Sequence, residues 1–271
     1  MTKERTMVAT QERTLTAWQD QVRSRVQIAG SGPPLVFFHG AFGLRWDPFL
    51  DALAERFTVY APEHPGTTPG EPDAVRPLEN LWDLVLYYYE LFDKLGLRAP
   101  AVVGHSFGGM VAAEVAATAP ERVSRLVLID PIGLWRDDVP VKNWMTVLPT
   151  DLAKLAFAEP DGPLAQQMLT PPADPEAAVE AQIQMTWALA CTGKFVWPIP
   201  DKGLKKRLHR ISAPTLLIWG RQDGLVPPVY AQEFAARIPN ARVELIDGAA
   251  HLPHLEQMAT VVRLIRDFLA G

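Results

Sequence analysis

Four short runs dominate the reading of this chain: Leu35 to Phe38 (LVFF), Ala101 to Val103 (AVV), Leu126 to Ile129 (LVLI) and Leu216 to Trp219 (LLIW) are apolar at consecutive positions. A strand that alternates inside and outside would be apolar at every second position, so unbroken runs of this length predict strands buried on both faces. Between them lie stretches with helical spacing. Leu78, Leu81, Trp82, Val85, Tyr89, Phe92 and Leu95 place one apolar stripe on a helix, and Leu255, Met258, Val261, Val262, Ile265 and Phe268 do the same at the end of the chain, with Arg263 and Arg266 suited to a helix C-terminal half. Further strands are expected at Thr58 to Ala61 and Val243 to Ile246. Strand alternating with helix predicts an α/β fold on a mostly parallel sheet. Residues 12 to 28 hold two candidate strands, around Leu15 to Trp18 and Val22 to Ile28, too close together for a crossover helix, so they are expected as an antiparallel hairpin.

The rhythm breaks once. From Pro131 to Arg210 no clear strand appears, which predicts a helical cap at 131–210 inserted into a core domain made of 1–130 and 211–271. The insertion holds Trp135, Trp144, Trp187 and Trp197 with Met145, Met168 and Met185, an apolar surface that either faces a ligand pocket or makes the cap's own core. Many of the 25 prolines fall here and between Pro62 and Pro77, segments expected to be irregular but stiff.

Charge and cysteine content exclude several classes of function. Lys plus Arg number 26 against 31 Asp plus Glu, a net charge of −5, the wrong sign for neutralising phosphates along a nucleic acid. The basic run Lys202 to Arg210 (KGLKKRLHR) is read as a solvated helical face. The single cysteine, Cys191, closes no intramolecular disulfide and is read as a small buried hydrophobe, and no Cys/His cluster has zinc spacing. The charged first two dozen residues lack the apolar core of a signal peptide and no segment has the run needed to span a membrane, so no membrane association and a cytoplasmic location are expected. A homodimer is compatible with the chain, and nothing in the sequence selects it.

Residues 101 to 110 (AVVGHSFGGM) put Gly104, Ser106 and Gly108 in a GxSxG arrangement between an apolar strand and the apolar helical stretch Val111 to Ala119. That context is what a nucleophilic serine needs: a strained strand-to-helix turn that raises the hydroxyl out of the sheet, packed too closely for side chains at the flanking glycines. A serine also needs a base, and the base needs an anion to fix its tautomer. His251, in the loop DGAAHLP after strand Val243 to Ile246, is the expected base. His254 is the rival, expected to cap the following helix or face solvent, while His105 is expected inside the turn with its ring directed away from the reacting centre. Asp223, just past the LLIW strand in WGRQDG, is the expected acid, with Asp130 in IDP as competitor. For an oxyanion, the amide of Phe107 at a helix N-terminus is one donor, and the loop His39, Gly40, Ala41, Phe42, Gly43 supplies the other, Ala41 before Phe42. His39, Gly40, Trp135, Trp144 and Trp187 are the candidates for lining a substrate site.

The ordered set HGAFG, GHSFGG, GRQDGLVP and GAAHLPHLE resembles the α/β-hydrolase superfamily, in its capped, esterase-like branch, and the likeness covers nearly the whole chain. It implies an eight-stranded sheet with a cap inserted after the sixth strand, and Ser106, Asp223 and His251 acting in that order. It also supports Ala41 and Phe107 as the oxyanion pair, with no metal or organic cofactor. A serine at the turn is not the aspartate that the haloalkane dehalogenases and epoxide hydrolases of that superfamily use. The expected reaction is hydrolysis of a small carboxylic ester with an apolar acyl or alcohol group. The alternatives are a carbon-carbon bond hydrolase of ring-cleavage products, a lactonase, thioesterase, amidase or perhydrolase, or a non-catalytic ligand-binding relative. Where many members have an aspartate ahead of PG, this chain reads PEHPGTTPG, and the resemblance assigns no role to Glu63 and His64.

Overall fold

Strands that are apolar on consecutive positions need cover on both faces, and the fold supplies it with two helical layers. The computed structural model describes residues 9–271; residues 1–8, the start of the charged opening stretch, lie outside the described residues. The strands are β1 (Gln11–Ala17), β2 (Val22–Ala29), β3 (Pro34–Phe38), β4 (Thr58–Pro62), β5 (Ala101–His105), β6 (Arg125–Ile129), β7 (Thr215–Gly220) and β8 (Ala241–Ile246). They form one eight-stranded sheet in the order β1-β2-β4-β3-β5-β6-β7-β8. The expected hairpin is β1 and β2, which pair antiparallel, and β2 pairs antiparallel with β4; every other pairing is parallel.

The helices are α1 (Pro48–Ala54), α2 (Leu81–Leu95), α3 (Phe107–Thr118), α4 (Pro149–Ala156), α5 (Pro163–Leu169), α6 (Pro175–Val196), α7 (Val229–Ala235), α8 (Pro253–Glu256) and α9 (Met258–Ala270). One face of the sheet packs on α2, α3 and α7, through Leu84, Tyr88, Met110, Val115, Tyr230 and Phe234. The opposite face packs on α1 and α9, through Phe49, Leu53, Val261 and Ile265. Helix α3 is buried on all sides from Phe107 to Ala117, so its alanines and valines meet other elements whichever way they point. Helices α4, α5 and α6 all lie between β6 and β7, in the stretch where the sequence breaks its rhythm.

Two helix starts differ from the periodicity. Leu78 is buried but precedes α2, because the Asn80 side chain accepts from the amides of Trp82 and Asp83 and caps the helix there. The last helix is broken at Gln257 into α8 and α9. The basic run is also corrected: it forms two short 3₁₀ turns, Leu204–Lys206 and Leu208–Arg210, rather than a solvated helical face. Leu204 and Leu208 are fully buried, and Arg207 makes two hydrogen bonds, 2.8 and 2.6 Å, to the buried carboxylate of Glu114 while stacking over Trp82. A helical pattern of charges cannot signal such a contact, because Glu114 lies 93 residues away.

Removing Arg207 would strand the Glu114 charge inside α3. Arg207→Ala is expected to cost about 3 kcal/mol in urea unfolding, whereas Lys206→Ala, at an exposed position, should stay within about 0.5 kcal/mol. Equal effects from the two variants would contradict the buried-pair reading.

Candidate active site

In parallel strands the C-terminal ends fall along one edge, and the register sets which residues meet there. His105 at the end of β5 lies beside Ile129 of β6, Ile129 beside Ile218 of β7, and Gly220 of β7 beside Ile246 of β8. The residues that follow, Ser106, Asp130, Asp223 and the loop ahead of α8, are therefore delivered to a single edge. Ser106 turns the chain from β5 into α3 with φ 53° and ψ −115°, a left-handed conformation for a residue with a side chain. The turn is held by packing. A Cβ on Gly108 would stand 2.2 Å from the carbonyl oxygen of Phe38, so α3 can sit this close to β3 only with glycine there. The amide of Ser106 donates to Ile129 O (2.9 Å), and its carbonyl accepts from Met110 N (3.1 Å).

The structure brings the three expected side chains together. His251 Nε2 lies 2.9 Å from Ser106 Oγ, and His251 Nδ1 lies 2.8 Å from Asp223 Oδ2, all three residues being buried. With Nδ1–H donating to Asp223, Nε2 is the acceptor for the Ser106 hydroxyl, the arrangement in which an imidazole can withdraw a serine proton. Asp223 is anchored in turn: its Oδ1 accepts from Leu225 N (2.8 Å) and Val226 N (2.9 Å). Ligand atoms of Asp130, Asp223 and His251 all lie within 4.8 Å of one another, the one such group among the described residues with spacing for a cation. In the hydrogen-bonded arrangement, however, the Nδ1 of His251 carries the proton it gives to Asp223.

The loop after β3 is fixed from behind. His39 Nε2 accepts from the amide of His64 (3.0 Å), which leaves Nδ1–H to donate to the carbonyl of Gly40 (2.7 Å). His64 Nε2–H donates to the carbonyl of His39 (2.8 Å), and His64 Nδ1 accepts from the Tyr88 hydroxyl. One set of neutral tautomers satisfies every contact. In a trans peptide the carbonyl and the following N–H point opposite ways, so holding the Gly40 carbonyl also holds the orientation of the Ala41 amide.

The model of the alpha/beta hydrolase fold family matches residues 33–257. The chain belongs to this family. Among curated relatives of the hydrolase, the dihydrolipoyllysine-residue acetyltransferase component of the acetoin cleaving system from Cupriavidus necator is 29% identical over 265 residues, covering 93% of this chain and 68% of that one. A pimeloyl-[acyl-carrier protein] methyl ester esterase from Nitrosomonas europaea is 29% identical over 245 residues, covering 85% and 93%. The naproxen esterase of Bacillus subtilis superposes with a TM-score of 0.76 at 18% identity, covering 97% of this chain and 92% of that one, a likeness of fold.

Packing places the other expected residues of the hydrolase. The His39 ring points into the interior, with both nitrogens engaged as above, and so positions the loop instead of facing a substrate. Gly40 packs on His105, where a Cβ would stand 2.9 Å from the imidazole Nδ1. Ala41 is buried, with its carbonyl accepting from Thr192 Oγ1 of α6 (3.3 Å), while Phe42 is half exposed and Phe107 fully buried. Trp135 and Trp144 line a small crevice of about 50 Å³ with Val196 and Trp197, none of whose walls belongs to the Ser106 cluster, and Trp187 is exposed. His254 neither caps nor faces solvent: it is buried, with its ring against Phe49 and His105.

Three supports were not readable in advance. His105 runs beneath the His251 loop, its Nε2–H donating to the carbonyl of His251 (2.8 Å). The Glu256 carboxylate accepts from Ala250 N and Ala158 N, both at 2.7 Å, clamping the His251 loop to the segment between β6 and β7. The end of α4 reaches the same place, where Leu155 O accepts from Gly224 N (3.0 Å) and Ala156 O from His251 N (3.1 Å). A glutamate five residues past a candidate base is the only sequence signal any of these left.

Burial makes the imidazolium form costly. It pushes His64 down to about 4 and His254 down to about 3, and it lowers His39 and His105 strongly, with neighbouring histidines adding to the effect on His39, His105 and His254. The unfolded chain binds protons at these sites below pH 6.5 and the folded one does not, so their contribution to stability is complete above pH 6.5 and is lost as pH falls through the folded value. For His64 the loss between pH 6.5 and 4 is on the order of 3 kcal/mol. Urea unfolding of wild type and His64→Gln across that range should show wild type losing stability relative to the variant at up to about 1.4 kcal/mol per pH unit; a constant separation would show that His64 titrates normally.

Proposed function

We propose that this hydrolase cleaves a carboxylic ester through a serine acyl-enzyme, and the observation that carries the reading is the Ser106 Oγ–His251 Nε2 contact of 2.9 Å, backed by Asp223 at 2.8 Å. His251 takes the proton as Ser106 attacks the carbonyl carbon. The tetrahedral oxyanion falls to the amide of Phe107, at the N-terminus of α3 where the helix dipole favours negative charge, together with that of Ala41, with Phe42 as the second choice for that loop. Each such donor contributes roughly 10²–10³ in rate. Asp223 holds the imidazole in its productive tautomer and stabilises the imidazolium, which then protonates the leaving alcohol. Water, deprotonated by the same His251, attacks the acyl-serine and frees the acid.

Residues 131–210 serve in this reading as a helical cap on a core of 1–130 and 211–271. The apolar side chains that α6 leaves exposed, among them Ile183, Met185 and Trp187, together with Phe42, support an apolar acyl or alcohol group. The pimeloyl methyl ester esterase relative supports an ester. Carbon-carbon bond hydrolysis is the second reading; His105 ahead of the serine and Leu252 after the base, where enzymes of that kind usually carry Asn and Trp, weigh against it.

A p-nitrophenyl ester series from acetate to decanoate, run with wild type, Ser106→Ala and His251→Ala, tests the proposal. Turnover by wild type is expected to fall by roughly 10³-fold or more in either variant, and the chain-length optimum sizes the acyl site. Absence of turnover with a fluorophosphonate still labelling Ser106 would favour the carbon-carbon, lactone or thioester bonds, and absence of both would leave a ligand-binding relative.

A further inference from the structure

Asp130, the competitor for the role of acid, is neither the partner of His251 nor a simple turn residue. It lies at the end of β6 in a left-handed conformation (φ 43°), fully buried, its amide donating to Ile218 O (3.0 Å) and its Oδ1 accepting from Gly220 N (3.0 Å). The second oxygen, Oδ2, is buried with no hydrogen-bond partner among the described residues. Asp223 stands within 4.8 Å and is also buried. The two carboxylates are unequally served: Asp223 accepts three N–H groups, from Leu225, Val226 and His251, and Asp130 accepts one.

Two carboxylates at this separation in a dry interior do not both ionise, and the charge settles on the one with more donors. A proton on Asp130 Oδ2 would turn an orphaned acceptor into a donor beside the Asp223 carboxylate. We propose that Asp130 holds its carboxyl proton at neutral pH and gives it in a hydrogen bond to Asp223, so that a neutral acid positions the anion of the relay. The other ionisable groups that face it are His251 and, from α8, Glu256. Burial first, then the charge of Asp223, push the Asp130 carboxyl well above the usual carboxylate range, and Glu256 adds to the push. The donated bond draws negative charge from Asp223 and keeps the Asp223 carboxylate from turning away from the ring.

This inference rests on the serine-relay reading only for its effect on turnover, so the test has two arms. Infrared difference spectroscopy at pH 7, wild type minus Asp130→Asn, should show the C=O stretch of a protonated carboxyl in wild type; its absence overturns the proposal whether or not the protein hydrolyses anything. In the kcat/KM profile on an activated ester, Asp130→Asn keeps a donor and removes no charge, so the acid limb should stay where it is in wild type. If Asp130 were ionised, the same variant would remove an anion beside the relay and move that limb down by about 1–3 units, which also overturns the proposal. Asp130→Leu removes the donor and should move the limb up, a shift that loss of packing alone would not give. A protein without serine-dependent turnover would sink the esterase reading and leave the infrared result standing.

Discussion

Everything at the strand edge depends on how closely α3 approaches β3. Gly108 lies against the Phe38 carbonyl with no room for a methyl group, and that proximity bends the chain at Ser106 into a conformation it would not adopt alone. The cost of a left-handed serine, on the order of 1–3 kcal/mol, is met by the burial of a whole helix, since α3 hides Met110, Val111 and Val115 among neighbours on all sides. A second close approach works with the first. Gly220 at the end of β7 touches the backbone of Ala250, where a Cβ would stand 1.8 Å from the carbonyl oxygen. One contact raises the serine and the other pulls in the loop that carries His251.

The second organising constraint is dryness. His39, His64, His105 and His254 are all buried, and a histidine that meets polar groups there can donate and accept at once while remaining neutral. His64 shows the economy of this. Through its backbone amide and both ring nitrogens it ties Tyr88 of α2 to the carbonyl and side chain of His39, and so links a helix on one face of the sheet to the loop that carries the Ala41 amide. The PEHPG stretch that departs from the family pattern thus has a physical role for His64. Glu63 has one as well, accepting two hydrogen bonds from Arg25 of β2 at 2.6 and 2.9 Å.

How much of this was legible depends on whether a residue's signal is local. The parallel sheet was readable because consecutive apolar residues have one physical reading, and Ser106 because its glycines flank it in sequence. Asp223 and His251 followed from lying just beyond strands. The bond that His105 makes was not legible, because its partner, the His251 carbonyl, is 146 residues distant, and no spacing rule reports such a contact. The same holds for Arg207 on Glu114, which a count of basic residues turned into a solvated surface. The tryptophans left two readings open for another reason: aromatic content says that a surface is apolar, and only packing says that Trp135 and Trp144 face a crevice of their own.

The end of α4 holds the loops of Asp223 and His251 through backbone carbonyls, Leu155 O accepting from Gly224 N and Ala156 O from His251 N. A carbonyl acceptor is the same for every amino acid, so these two contacts fix the place where the helix stops whatever side chains it carries. Inserting or deleting one residue in that helix would turn both acceptors by about 100° and shift them by about 1.5 Å, uncoupling loops that lie far away in sequence. At this one turn the segment between β6 and β7 is closed to change in length.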